Sequence, residues 1–189
     1  MKQIRCGTFE TNSSSTHAIC IPKKAIDKKA LIGKRLTFEL GSFGWECREV
    51  DAANYLYTAL MLHPNHTDLL DSLKAVLDKY GVLYTMQDPV FVKAGWSSTG
   101  YCLSNGSIDH DYEAVSFVET VLQDEDRLLR YLFAGSRVFT GNDNCESYEN
   151  CYSAGCRCDC DTLCGLDRRW DEKNPYKDTK NFEYFSKGN

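Results

Sequence analysis

The chain has 189 residues, of which 42% are hydrophobic and 12% aromatic. That is enough apolar material for one core and excludes wholesale disorder. A formal net charge of −5 and a sequence pI near 5.4 argue against nonspecific nucleic-acid binding, which depends on Lys and Arg neutralising phosphates.

No apolar run approaches membrane-spanning length, so no membrane association is expected. The opening Met1-Lys2-Gln3-Ile4-Arg5-Cys6 leads into polar residues rather than an apolar signal stretch. Residues Ile4 to Phe9 and Ala18 to Ile21 read as two short strands. Between them lies the polar run Thr11, Asn12, Ser13, Ser14, Ser15 and Thr16, which ends on His17. Burying that many hydroxyls without partners costs about 1–3 kcal/mol each, so the run must be solvated, self-bonded or shaped around a ligand. Pro22 ends the second strand, and Lys23 to Leu31 suggests a short basic helix. Arg35 to Leu40 alternates apolar and polar residues as a half-buried strand does.

Asp51 is a good N-cap for a helix from Ala52 to about Leu62, apolar almost all round and therefore central. Thr67 caps the next helix, in which Leu69, Leu70, Leu73, Val76, Leu77 and Tyr80 follow the 3.6-residue period and Gly81 supplies the stop. His63 and His66 flank Pro64-Asn65 and read as surface residues of a turn. Val82 to Met86 and Val90 to Lys93 read as strands, followed by a Gly/Ser/Asn-rich loop from Gly95 to Ser107. Asp109 or Asp111 caps a helix carrying Val115, Val118, Val121 and Leu122. Asp124 or Asp126 starts another, ended by Gly135, and Arg137 to Thr140 forms a last core strand.

After Gly141 the aliphatic residues give way to Asn, Asp, Cys and Tyr. The expected fold is α+β: a small mixed or antiparallel sheet with about four main helices over residues 1–141. Residues 142–189 form a cysteine-rich C-terminal appendage and a charged aromatic tail. Tyr and Trp in that tail suit either protein–protein contact or packing back onto the body.

Hydroxyls with free backbone N–H groups can cradle an anion, and a terminal histidine can donate to it or move a proton. A phosphate-bearing small ligand is the natural guess, and an ordinary loop of side-chain-to-backbone turns is the alternative. The segment Phe9-Glu10-Thr11-Asn12-Ser13-Ser14-Ser15-Thr16-His17, after the opening Ile4-Arg5-Cys6-Gly7, resembles the start of a family of short, mostly uncharacterised proteins of bacteriophages, prophages and Gram-positive bacteria. Ile108-Asp109-His110 and Thr140-Gly141-Asn142-Asp143 are associated with the same family. The resemblance implies a context, a phage or prophage gene acting in the bacterial host cytoplasm, and no particular activity.

If the three segments meet, His17, His110, Asp109 and Asp143 supply two imidazoles and two carboxylates for acid–base work on a phosphoester or glycosidic bond, with Asn142 and the polar run binding the ligand. A hydrogen-bonded polar knot that catalyses nothing would use the same residues. Established enzyme patterns fit poorly. His17 and His110 lack the His-x-Thr or His-x-Ser setting of a two-histidine phosphoesterase, Gly33-Lys34 lacks the rest of a phosphate loop, and there is no Gly-x-Ser-x-Gly elbow.

Ten cysteines are present. Cys6, Cys20, Cys47 and Cys102 read as buried small hydrophobes of a reducing compartment. Cys145, Cys151, Cys156, Cys158, Cys160 and Cys164 crowd together. Of these, Cys151, Cys156, Cys158, Cys160 and Cys164 could wrap a structural zinc, although the spacing lacks paired Cys-x-x-Cys knuckles. Reduced, unliganded thiols are the alternative. Three functions remain open: a phage or prophage accessory protein that binds a host protein, for counter-defence or host modulation; a small enzyme acting on a nucleotide or nucleic-acid phosphate through His17 and His110; and a non-catalytic nucleotide-binding module.

Overall fold

A computed structural model describes residues 15–44, 48–93, 101–109, 112–142 and 180–187. The fold is α+β, with four helices and several small sheets, antiparallel and parallel. The helices are α1 (Ala52–Leu62), α2 (His66–Lys79), α3 (Tyr112–Leu122) and α4 (Glu125–Phe133). The largest sheet has four strands: β1 (Ser15–Pro22), β4 (Arg48–Val50), β9 (Arg137–Asn142) and β10 (Phe182–Lys187), in the order β10-β1-β9-β4 and antiparallel throughout. Three two-stranded pairs complete it. They join β2 (Arg35–Phe38) to β5 (Leu83–Met86), β3 (Ser42–Phe43) to β8 (Ser107–Ile108), and β6 (Phe91–Lys93) to β7 (Tyr101–Leu103).

The apolar-all-round helix is central, as its sequence requires. Eight of the eleven residues of α1, including Tyr55, Leu56, Ala59 and Leu60, are buried. The Asp51 carboxylate accepts from the Asn54 N–H at its N-terminus, and the Tyr131 hydroxyl of α4 donates to the Ala52 carbonyl at 2.7 Å. Tyr55, Phe117 and Tyr131 form a run of tilted and edge-on ring contacts at 5.4–6.0 Å, which Phe185 of β10 extends at 5.9 Å from Phe117. Such pairs add about 0.5–1.5 kcal/mol each beyond the area that they bury.

Several helix boundaries follow their sequence signals. Asp124 caps α4 by accepting from the Arg127 N–H, and Gly81 and Gly135 sit at φ 64° and 83° just beyond α2 and α4, where a side chain would be strained. Other boundaries differ. Helix α2 starts at His66 behind Asn65, which makes no side-chain cap, so Thr67 lies inside the helix. The basic stretch yields only a four-residue 3-10 turn (Lys28–Leu31), capped by Asp27. The Gly/Ser/Asn-rich loop contains β7 and β8, and β1 begins at Ser15, so Ser15, Thr16 and His17 are strand residues. The expected strand Ile4 to Phe9 and the caps between residues 109 and 112 fall wholly or partly outside the described residues.

The described end of the tail packs back onto the body. β10, from beyond residue 141, runs along β1 with Ile19 opposite Phe185 and Ile21 opposite Glu183. Glu183 then reaches α4, accepting from Arg127 Nε at 2.9 Å and Arg130 Nη2 at 2.6 Å. Arg130 also donates to the Pro22 carbonyl at the end of β1. One carboxylate thus ties the last strand, the first strand and α4 together.

Candidate functional site

The register of β1 against β9 joins two of the segments singled out in the sequence. Ser15 lies opposite Asn142, Thr16 opposite Gly141 and His17 opposite Thr140. The end of the polar run and the start of Thr140-Gly141-Asn142-Asp143 are therefore neighbouring strands. Thr140 itself is buried at 1% exposure.

The third segment begins in a different sheet, at Ile108. Ser107 and Ile108 pair with Ser42 and Phe43, and the Asp109 N–H donates to the Phe43 carbonyl at 2.9 Å. The strand leading into Asp109 thus pairs with β3, whereas His17 and Asn142 belong to the four-stranded sheet. Thr11, Asn12, Ser13, Ser14, His110 and Asp143 lie outside the described residues, as do Cys151, Cys156, Cys158, Cys160 and Cys164. Among the described residues, no three His, Cys, Asp or Glu side chains gather as a metal set.

Two cysteines in the described part diverge. Cys20 is buried and forms no disulfide, as expected of a small hydrophobe. Cys102, in β7, is disulfide-bonded, which corrects its reading as a reduced thiol. Its strand pairs with β6, where Cys102 lies opposite Val92.

His63 corrects the surface reading of the turn. It is 4% exposed. Its Nδ1 accepts from the Asn65 N–H at 2.9 Å, so Nε2 carries the proton and points it at Glu119 Oε1, 3.2 Å away. The ring pins the α1–α2 turn to α3. Replacing His63 by Leu strands the Asn65 N–H and is expected to cost about 1–3 kcal/mol in thermal denaturation, with His63→Gln recovering part of the loss. His66, half-buried, holds the His63 carbonyl through Nδ1 and lies 5.1 Å from the Phe91 ring.

A cleft of about 450 Å³ opens between the segment after β1, the start of α4 and β10. Lys23, Lys28 and Arg130 line it together with Asp124, Asp126 and Glu183. Lys28 is bound to Asp126 at 2.5 Å, Arg130 to Glu183, and Asp124 to the α4 N-terminus. These charges satisfy one another and stabilise the corner. Beside them Glu125 takes hydrogen bonds from Lys79 and Tyr80, which hold its carboxyl below the usual range.

The exposed apolar side chains concentrate on β6 and the residue before it. Val90, Phe91 and Val92 are 49%, 37% and 38% exposed. Phe91 and Val92 are successive strand residues, so both faces of the ribbon are open. β6 pairs with β7 along one edge, and no other strand among the described residues covers its second edge. The β-branched and aromatic run Val90 to Val92 signals a strand, but nothing local signals that it stays uncovered.

No helix among the described residues is long and apolar enough to cross a membrane. Comparison with family models, with curated proteins and with solved structures finds no match to this chain.

Proposed function

We propose that the chain is an accessory protein of phage or prophage type that works in the bacterial host cytoplasm by binding a host protein, in counter-defence or host modulation. The observation that carries the binding reading is the exposed strand β6, with Val90, Phe91 and Val92 open to solvent and one edge unpaired among the described residues. Scattered exposed apolar residues are ordinary, whereas three in succession on a strand with an open edge suit a contact surface. The occupant is an extended segment of the host protein. It adds beside β6 through main-chain hydrogen bonds, while its successive apolar side chains meet Phe91 on one face and Val92 on the other. The phage context rests on the resemblance of Phe9 to His17.

An acid–base enzyme is less well supported, because the strand that leads into Asp109 pairs with β3, whereas His17 belongs to the four-stranded sheet. Purification of the tagged chain from host lysate, with mass spectrometry of the eluate, tests the binding reading. A stoichiometric host protein is the expected result. A structural zinc in the Cys151–Cys164 segment belongs to the same proposal. Elemental analysis of purified protein is expected to give about one equivalent, and less than about a tenth of an equivalent removes the metal.

A further inference from the structure

The backbone of β6 sets which of its polar groups face outward. The Ser104 N–H donates to the Val90 carbonyl at 2.7 Å, and the Val90 N–H donates to Asn105 Oδ1 at 3.0 Å. Both main-chain groups of Val90 therefore turn towards the β7 side. Successive residues of a strand turn these groups to alternate edges. Val92, opposite Cys102, turns inward like Val90, whereas Phe91 and Lys93 turn their N–H and C=O groups to the second edge. No strand among the described residues pairs along that edge. A segment docking beside β6 thus finds its main-chain partners at Phe91 and Lys93, in a fixed register.

The side chains follow the same period. Phe91 and Lys93 share one face, and Val90 and Val92 the other. All four residues are exposed. Phe91 is backed by the His66 ring, with centroids 5.1 Å apart and planes tilted by 32°. His66 Nδ1 donates to the His63 carbonyl at 3.1 Å, which holds the ring against the α1–α2 turn. The two rings present a broad surface that suits an aromatic or bulky apolar side chain. Lys93 stands two residues further along the same face. Asp88 lies before the strand, where burial first and its charge second raise the Tyr57 hydroxyl, so that carboxylate sits near α1. The ribbon is therefore polar along its length, with a carboxylate before it and an ammonium at its end.

We infer that the segment docking on β6 runs antiparallel to it and carries an acidic residue two positions before an aromatic or bulky apolar one. The inference rests on the reading of β6 as the docking strand and names the chemistry of its partner. Directly opposed residues of antiparallel strands share a face. The apolar residue lies opposite Phe91, exchanges two main-chain hydrogen bonds with it and packs on Phe91 and His66. The acidic residue then falls opposite Lys93, where opposite charges attract and like charges repel. A parallel segment would place the same two residues in the reverse order and pair slightly less stably.

Fluorescence anisotropy of the full chain with labelled peptides tests the assignment. The probe is acetyl-Thr-Asp-Val-Tyr-Val-Thr-amide, compared with a peptide in which Lys replaces its Asp and with one of reversed sequence. The Asp peptide is expected to bind saturably and about tenfold more tightly than the Lys peptide. Lys93→Glu should invert that order without lowering the melting temperature, because the side chain is exposed. Methylating the Tyr nitrogen of the probe removes a hydrogen bond to the Phe91 carbonyl and should weaken binding about tenfold. Equal binding of the Asp and Lys peptides, an order that Lys93→Glu leaves unchanged, tighter binding of the reversed peptide, or no binding at millimolar concentration overturns the assignment. Any of these beside retained capture of a stoichiometric host protein removes the acidic register alone. Host-protein binding fails separately, when the parent chain retains no such protein from lysate.

Discussion

Replacing Glu183 by Ala is expected to lower stability by about 2–4 kcal/mol and to free the last strand from α4. Two guanidinium groups lose their shared carboxylate at once, and breaking a partly buried pair costs more than never having made it. Arg127 and Arg130 are each mostly covered, at 26% and 13% side-chain exposure, so water only partly replaces the lost partner. Glu183→Gln keeps the shape and part of the hydrogen bonding and should cost about half as much. Removing residues 180–189 should do greater damage, because it uncovers the whole edge of β1 from His17 to Pro22 and takes Phe185 off Phe117. Chemical denaturation of the three variants measures the order.

The same carboxylate gives the clamp a pH dependence. Burial pushes the Glu183 carboxyl up, but the hydrogen bonds and charges of Arg127 and Arg130 outweigh it, and the group sits below the usual carboxylate range. A lowered folded pKa means that the ionised group contributes fully above the unfolded value of about 4.3. The contribution is lost as pH falls through the lowered value. The stability gap between the parent and Glu183→Gln should be constant at neutral pH and close as pH falls below the usual carboxylate range. A gap that widens on acidification would contradict this arrangement.

The body of the fold is legible where local chemistry decides it. Asp51 and Asp124 announce α1 and α4 because a carboxylate is placed to accept the first free N–H groups. Gly81 and Gly135 end α2 and α4 because each adopts a positive φ. The α+β class follows from these helices and from the alternation around Arg35, Leu83 and Arg137. What is not legible depends on distant partners. Phe182-Glu183-Tyr184-Phe185 mixes aromatic and charged residues and reads as tail, because the β1 edge that makes it a strand lies at the other end of the sequence. His63 sits beside a proline turn, yet its burial is decided by Glu119, 56 residues away. β3 and β8 have two residues each, too few for any period to register.

The candidate site divides in the same way. Ser15, Thr16 and His17 stand out by composition, and so do Thr140, Gly141 and Asn142. Their meeting depends on the antiparallel register of β1 and β9, which no local signal encodes. Asp109 follows from its position before α3, but the partner of its strand, Ser42–Phe43, could not be read from spacing and carries it into a different sheet.

Phe91→Glu and Val92→Glu, made together, should abolish capture of the host partner while leaving the fold in place. Both side chains are exposed, so the substitutions should change stability by no more than about 0.5 kcal/mol each. On binding, each would bring a carboxylate into a desolvated contact, and together they should reduce recovery of the partner at least about a hundredfold. The measurement is parallel purification from host lysate of the parent chain and the double variant, with thermal melts of both. A stoichiometric host protein retained by the parent and lost by an equally stable variant is the predicted result. Equal recovery of that protein by both chains, or no stoichiometric protein with the parent, contradicts host-protein capture through β6.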